Sequence, residues 1–385
     1  MSPNLRRILP ALVALAVVGG GVWWGGSKAA GDAGAGCAGS TEAPPDTSSL
    51  GDVGEGDGDA VAQLVALDAS HFAGDTSPEL QAALDAVNEQ GAAAVPALAA
   101  KVRDQGCTEP SSAELVSILS ASARDLPAPE QTTIGTLYAD LLAHVGPYLE
   151  DASNPTPLDT CAANVSAGLE LVATAADADA DLHEAMYAHV NTCAPDNGRG
   201  CGELVRVLGL GAAMSPEWTE RFSALALAAA DGVERAPEVV EQSCNAAVAR
   251  GVHFATQLAS IQAVPGPMGA CLVTNAAKFE DDTLVSRALE NPSLQVAVAA
   301  AGVRRNTGTT VDIPGLLIRL RHTPESELDR GAPPIEAAVL AILEREPEGR
   351  DRALDELRRL AEGDEPAVVR LEALRARIEA SGPPQ

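Results

Sequence analysis

Lysine is nearly missing from this chain: Lys28, Lys101 and Lys278 are the only three in 385 residues. Aromatic residues are also scarce, at 3%. A core must therefore be filled by aliphatic side chains, chiefly alanine and leucine. The β-branched and aromatic residues that fill pleated sheets are thin outside valine, whereas Ala, Leu, Glu and Arg favour helix. Basic charge is short overall, with 26 Lys and Arg against 54 Asp and Glu and a net charge of −28. That balance excludes the broad cationic footprint that nucleic acid or an anionic lipid surface requires. No C-x-x-C pair occurs, which argues against a thiolate metal site. No G-x-S-x-G, Walker or C-x-x-C-H phrase occurs either, so no cofactor is expected.

What is present begins with an address. Arg6 and Arg7 precede an apolar stretch from Ile8 to Trp24. A positive segment followed by an apolar one keeps the N-terminus inside and exports the rest. Residues 1–24 are thus a signal peptide or an N-terminal membrane anchor. Trp23 and Trp24 suit an interfacial anchor, while Ser27, Ala29 and Ala30 suit cleavage. Cys37 follows "GAG", without the leucine three residues ahead that bacterial lipoproteins carry, which argues against lipidation. Residues 25–58 hold Gly, Ala, Asp, Ser and Pro and read as a flexible linker with too little apolar surface to fold. The expected location is periplasmic, either free or anchored in the inner membrane, with membrane contact only through the N-terminal segment.

An exported chain favours disulfides. Six cysteines follow the linker: Cys107, Cys161, Cys193, Cys201, Cys244 and Cys271. Sequence alone does not fix their connectivity. If the segments around "DADAD" form an antiparallel hairpin, Cys161 and Cys193 reach the same end, which makes that pair the expectation. Cys193–Cys201, closing "CAPDNGRGC", is the competitor.

With 46% apolar residues, the chain can build a sizeable core. Residues 59–380 read as successive helices split by Pro, Gly and Asp/Asn signals. In "AVPALAAKV", Val95, Leu98, Ala99 and Val102 share one face. Pro96 sits in the first turn, where its missing N–H costs nothing, and Gly106 closes the helix. The pattern returns in "IPGLLIRLRH", with Ile313, Leu316, Leu317 and Leu320. A second phrase, with proline near a helix start, opens "NPSLQVAVAA", "APPIEAAVLAILERE" from Ala332, and "DEPAVVRLEALRARI".

At these phrases the chain resembles HEAT-type repeats, clearest at 77–106 and 291–380. The resemblance implies an all-α solenoid of antiparallel helical hairpins, with degenerate repeats at 59–290 and cleaner ones at 291–385. It says little about activity. Each hairpin of such an array buries its stripe only against its neighbours, and the stack offers an extended binding surface.

Candidate chemistry is weak. "HEAMYAH" places His183 and His189 six residues apart, and Tyr187 stands where a zincin needs its second histidine. Some HEAT-repeat oxygenases hold a di-iron site with several His-Glu pairs; this chain has one such pair, so the resemblance gives no site. "GLGAAM" has Met214 in place of the last glycine of a dinucleotide loop, so its glycines are expected to pack helices. "DADADL" lacks the glycine and glutamate of a calcium loop and reads as a turn with a helix N-cap.

The expected function is non-catalytic protein–protein interaction or scaffolding in the bacterial envelope, with a protein partner. The alternatives are a small-ligand or peptide receptor with a pocket between hairpins, and an enzyme or metal protein on the helical scaffold. Residues 291–385 hold 13 arginines against 16 acids, far more balanced than the rest. Arg319, Arg370 and Arg377 are candidates to dock an acidic partner segment, since the guanidinium fork grips carboxylates. The plainer account pairs such arginines with glutamates along each helix, Glu356 with Arg359 for example.

Overall fold

Proline decides where many of the helices begin. Pro78, Pro157, Pro216, Pro237 and Pro366 are first residues of helices, and Pro96, Pro267 and Pro314 are second ones. The ring's fixed φ suits the first turn, where its absent N–H is not missed. Glycine ends several of them. Gly91, Gly106, Gly251 and Gly363 have positive φ, and the Gly106 N–H caps the carbonyl of Val102.

The structure, a computed structural model, describes residues 59–67, 71, 77–109, 111–124, 126–144, 157–175, 179–193, 197–228, 235–281, 283–363 and 365–381. The signal or anchor at 1–24, the linker at 25–58 and Cys37 lie outside them. Among the described residues the regular elements are all helical, without a strand. The α-helices run α1 (Asp59–Val65), α2 (Pro78–Gln90), α3 (Val95–Gln105), α4 (Ser112–Ala123), α5 (Ala128–His144), α6 (Pro157–Ala173), α7 (Ala180–Thr192), α8 (Gly198–Gly211) and α9 (Pro216–Ala228). They continue with α10 (Pro237–Ala249), α11 (Ala255–Ala259), α12 (Gly266–Thr274), α13 (Leu284–Ala288), α14 (Leu294–Thr307), α15 (Ile313–Arg321), α16 (Glu325–Arg345), α17 (Arg350–Leu360) and α18 (Pro366–Ala380). Short 3₁₀ turns fill some of the joints. No helix of the described residues is long and apolar enough to cross a membrane.

The packing alternates. Odd helices, the short α11 excepted, pair with the even helix that follows: α1 with α2, α3 with α4, α5 with α6, α7 with α8, α9 with α10, α13 with α14, α15 with α16 and α17 with α18. The even helices also pack on one another in chain order, from α4 through α6, α8, α10, α12, α14 and α16 to α18. This row continues through residue 290. The two proline phrases separate along it. V/I-P-x-L opens the odd helices α3 and α15, while the other phrase falls in the even helices α14, α16 and α18. One continuous hydrophobic cluster runs along the array, built from residues such as Leu98, Leu119, Leu169, Leu208, Leu272, Leu320 and Leu374.

Two expectations are corrected. The segments flanking "DADAD" are not partners in a hairpin: α6 packs on α4, α5 and α8, and α7 on α5 and α8. The link between them joins successive pairs. Also, the helix expected to start at Ala332 begins at Glu325 and carries Pro333 and Pro334 inside it. An interior proline withholds an N–H from the carbonyl four residues back. Here those carbonyls belong to Asp329 and Arg330, both exposed, so water can serve them. Buried Leu328, Ile335, Val339 and Ile342 hold the two halves against the array.

Candidate functional site

Small residues let the even helices approach, and polar residues then meet across the joints. A Cβ on Gly202 would meet the Glu238 Cβ at 2.7 Å, and one on Gly209 would meet the Ala246 Cβ at 3.1 Å. So α8 and α10 touch along a glycine line at helical spacing. Between α6 and α8, Arg206 binds Glu170 at 2.9 Å and Glu203 at 2.7 Å, and the Ser166 hydroxyl donates to Glu203 at 3.0 Å. Between α10 and α14, the Gln295 amide donates to Glu241 at 3.2 Å. Asn275 donates to Asn245 at 2.8 Å, joining α12 to α10.

Two carboxylates on this row titrate unusually. Burial, aided by the nearby Glu238 charge, raises the Glu241 carboxyl from its ordinary value, with Gln295 partly opposing. Burial also raises Glu114 on α4, against a hydrogen bond from its own backbone.

The expected arginine dock is divided by the fold. Arg370 pairs with Asp329 at 2.8 Å, and Arg377 with Glu336 at 2.9 Å. Two turns thus separate both partners on α16 and both arginines on α18. Arg319 lies on α15, donates to the Pro292 carbonyl at 3.4 Å and shares no partner with the other two. Burial lowers its pKa, partly offset by Glu327. The i,i+3 pairing of Glu356 with Arg359 is present.

The six candidate cysteines form three disulfides: Cys107–Cys161, Cys193–Cys201 and Cys244–Cys271, with Cα separations of 5.5, 6.3 and 6.2 Å. The expected Cys161–Cys193 pair is overturned, because α6 and α7 belong to different pairs. Cys161 instead meets Cys107, which follows α3. The competing Cys193–Cys201 bridge is the one found. Asn197, just ahead of α8, donates its amide to the carbonyls of Leu142 and Ala143 at the end of α5. Asn291, ahead of α14, does the same for Ile261 at 2.6 Å and Val264 at 3.3 Å.

The weaker motifs resolve into structure. His183 is buried and donates from Nε2 to the Ala173 carbonyl at 3.0 Å. Glu184 holds Arg221, whose guanidinium lies over Trp218 and Tyr187 at 4.5 and 4.9 Å. This brace ties α7 to α9 with the few aromatics available. His189 faces His144 on α5 edge-on, with ring centroids 6.4 Å apart. Among the described residues no three His, Cys, Asp or Glu side chains group as metal ligands. Gly211 packs against the Ala173 carbonyl and His183, and Asp179 caps α7 by accepting from the Asp181 N–H.

A cleft of about 480 Å³ opens where α4 and α6 end beside the start of α5. Ala123, Leu171, Val172 and Ala175 supply apolar wall, and Arg124, Gln131 and Thr174 supply the polar part. Sequence reasoning missed this cleft and the joints at Glu241 and Asn245. The one available signal was the helical spacing of Gly198, Gly202 and Gly209. It marks a close helix contact, not what flanks it.

Comparison with known proteins finds no matching family, no similar curated protein and no similar solved structure.

Proposed function

We propose that this chain is a non-catalytic interaction module: an exported α-solenoid of HEAT-like hairpins that binds a protein partner in the bacterial envelope. The observation that carries the reading is the row of even helices. It repeats one packing step from α4 to α18, so that many successive helices adjoin in chain order. Arrays of this build commonly bind along such extended surfaces. The two proline phrases, one for each helix position, support the HEAT-like assignment. Three disulfides suit an oxidising compartment outside the cytoplasm, and the sequence of residues 1–24 supports export. The working stretch runs from α6 to α14. There the polar groups Glu203, Glu241 and Asn245 are only partly buried, whereas Arg370 and Arg377 already hold acids of α16.

Site-specific photo-crosslinking in cells tests this. A crosslinker at Gln242, on the row, should capture a discrete protein partner. One at the exposed Ala188 of α7 should not. Capture at neither site, or equal capture at both, would remove the proposed surface.

A further inference from the structure

The cleft at the ends of α4 and α6 carries a separate inference. Its donors are almost all committed. The Gln131 amide donates to the carbonyls of Arg124 and Leu126, at 3.3 and 3.0 Å. The Thr174 hydroxyl donates to Glu170 at 2.7 Å. Helix C-termini ordinarily repel anions through their exposed carbonyls, and here side-chain donors take up some of those carbonyls. Gln131 serves the end of α4, while the Thr174 hydroxyl and His183 serve the end of α6. The uncommitted donor at the cleft is the Arg124 guanidinium. It is exposed and has no ion-pair or hydrogen-bond partner among the described residues, in a chain with twice as many acids as bases. Beside it, the accessible aliphatic surface comes from Leu171 and Ala175, both half-buried and backed by buried Ala123 and Val172.

We propose that this cleft binds an aliphatic carboxylate, its carboxyl group forked on Arg124 and its hydrocarbon portion laid against Leu171 and Ala175. A planar fork pairs with a carboxylate through two parallel hydrogen bonds. The volume lies within the range of small-ligand sites, which combine apolar lining with a few placed polar groups. A carboxylate of this kind comes either from a small organic acid or from the free C-terminus of a peptide ending in an aliphatic residue.

The test is calorimetric titration of the oxidised, exported chain with hexanoate, with hexanol, with the tripeptide Ala-Ala-Leu and with its C-terminal amide. The expected result is saturable binding of hexanoate, the free tripeptide or both. Each neutral counterpart should bind about tenfold more weakly or worse, in line with a charge-assisted hydrogen bond. Arg124→Gln should reduce carboxylate binding by a similar factor, with an unchanged circular dichroism spectrum and melting temperature. Preference for hexanoate identifies a small acid as the source, and preference for the tripeptide identifies a chain end. Binding of neither carboxylate at millimolar concentration overturns the proposal. So does equal binding of acid and neutral analogue, or equal binding by Arg124→Gln. None of these outcomes bears on the photo-crosslinking of the helix row.

Discussion

At the scale of single residues, the unequal environments of the carboxylates set a pH response. Burial raises Glu241, so the folded state holds its proton more firmly than the unfolded chain does. The associated stability is fully present below the ordinary carboxylate pKa of about 4 and is lost as pH rises through the folded value. Glu241→Gln keeps an acceptor for Gln295 and discards the half-buried charge. It should raise the thermal midpoint at pH 7, and the gain should shrink to nothing near about pH 4. Melts of both proteins across that range decide it, and a gain that grows on acidification would contradict the burial argument. The cysteines act at the same scale. Non-reduced peptide mapping should return Cys107–Cys161, Cys193–Cys201 and Cys244–Cys271, and any Cys161–Cys193 peptide would refute the helix pairing. The first bridge spans 54 residues of sequence. Replacing Cys107 and Cys161 together by alanine should cost about 4 kcal/mol in the chain-entropy model, measurable by urea denaturation.

At the scale of helices, glycines at different positions should respond in opposite directions. Gly200 on α8 lies under the backbone carbonyl of Leu142, which cannot step aside as a flexible side chain can. Gly200→Ala should therefore destabilise by about 1–3 kcal/mol through overpacking. Gly302, inside α14, has open space where a Cβ would go. Gly302→Ala should stabilise by about 0.5–1 kcal/mol by restricting the unfolded chain and favouring helix. Chemical denaturation of both variants measures the contrast. Helices of this kind were legible in the sequence because proline fixes their starts and apolar spacing marks their buried faces. Val95, Leu98, Ala99 and Val102 are indeed all buried in α3. Pairing was less legible. The segment "DADAD" lies between α6 and α7 in the chain, but the apolar stripes of both helices are satisfied elsewhere, and no local signal says which neighbour covers a stripe. The prolines inside α16 misled for a related reason. Proline marks a first turn only where the preceding residues cannot be held helical by packing, and here Leu328 is buried against the array. The cleft beside Arg124 was illegible because its walls come from three helices.

At the scale of the whole molecule, the staples are unevenly spread. All three disulfides lie between residues 107 and 271, and α14 to α18 contain none. If the helices stack as the proposed solenoid, each pair resting on its neighbours, stability is local. Reduction should therefore accelerate amide exchange across 107–271 while leaving much of the protection at 294–378. Uniform loss along the chain would mean that the array unfolds as one cooperative unit. The alternation of the helices has a further consequence, which is one of parity. An insertion or deletion of two consecutive helices lengthens or shortens the row by one step and returns every later helix to its own side. Loss of a single helix does something different: each helix after it changes places, so faces shaped for the row turn outward and faces shaped for the other side turn in. Viable length variants of this chain should therefore differ by even numbers of helices.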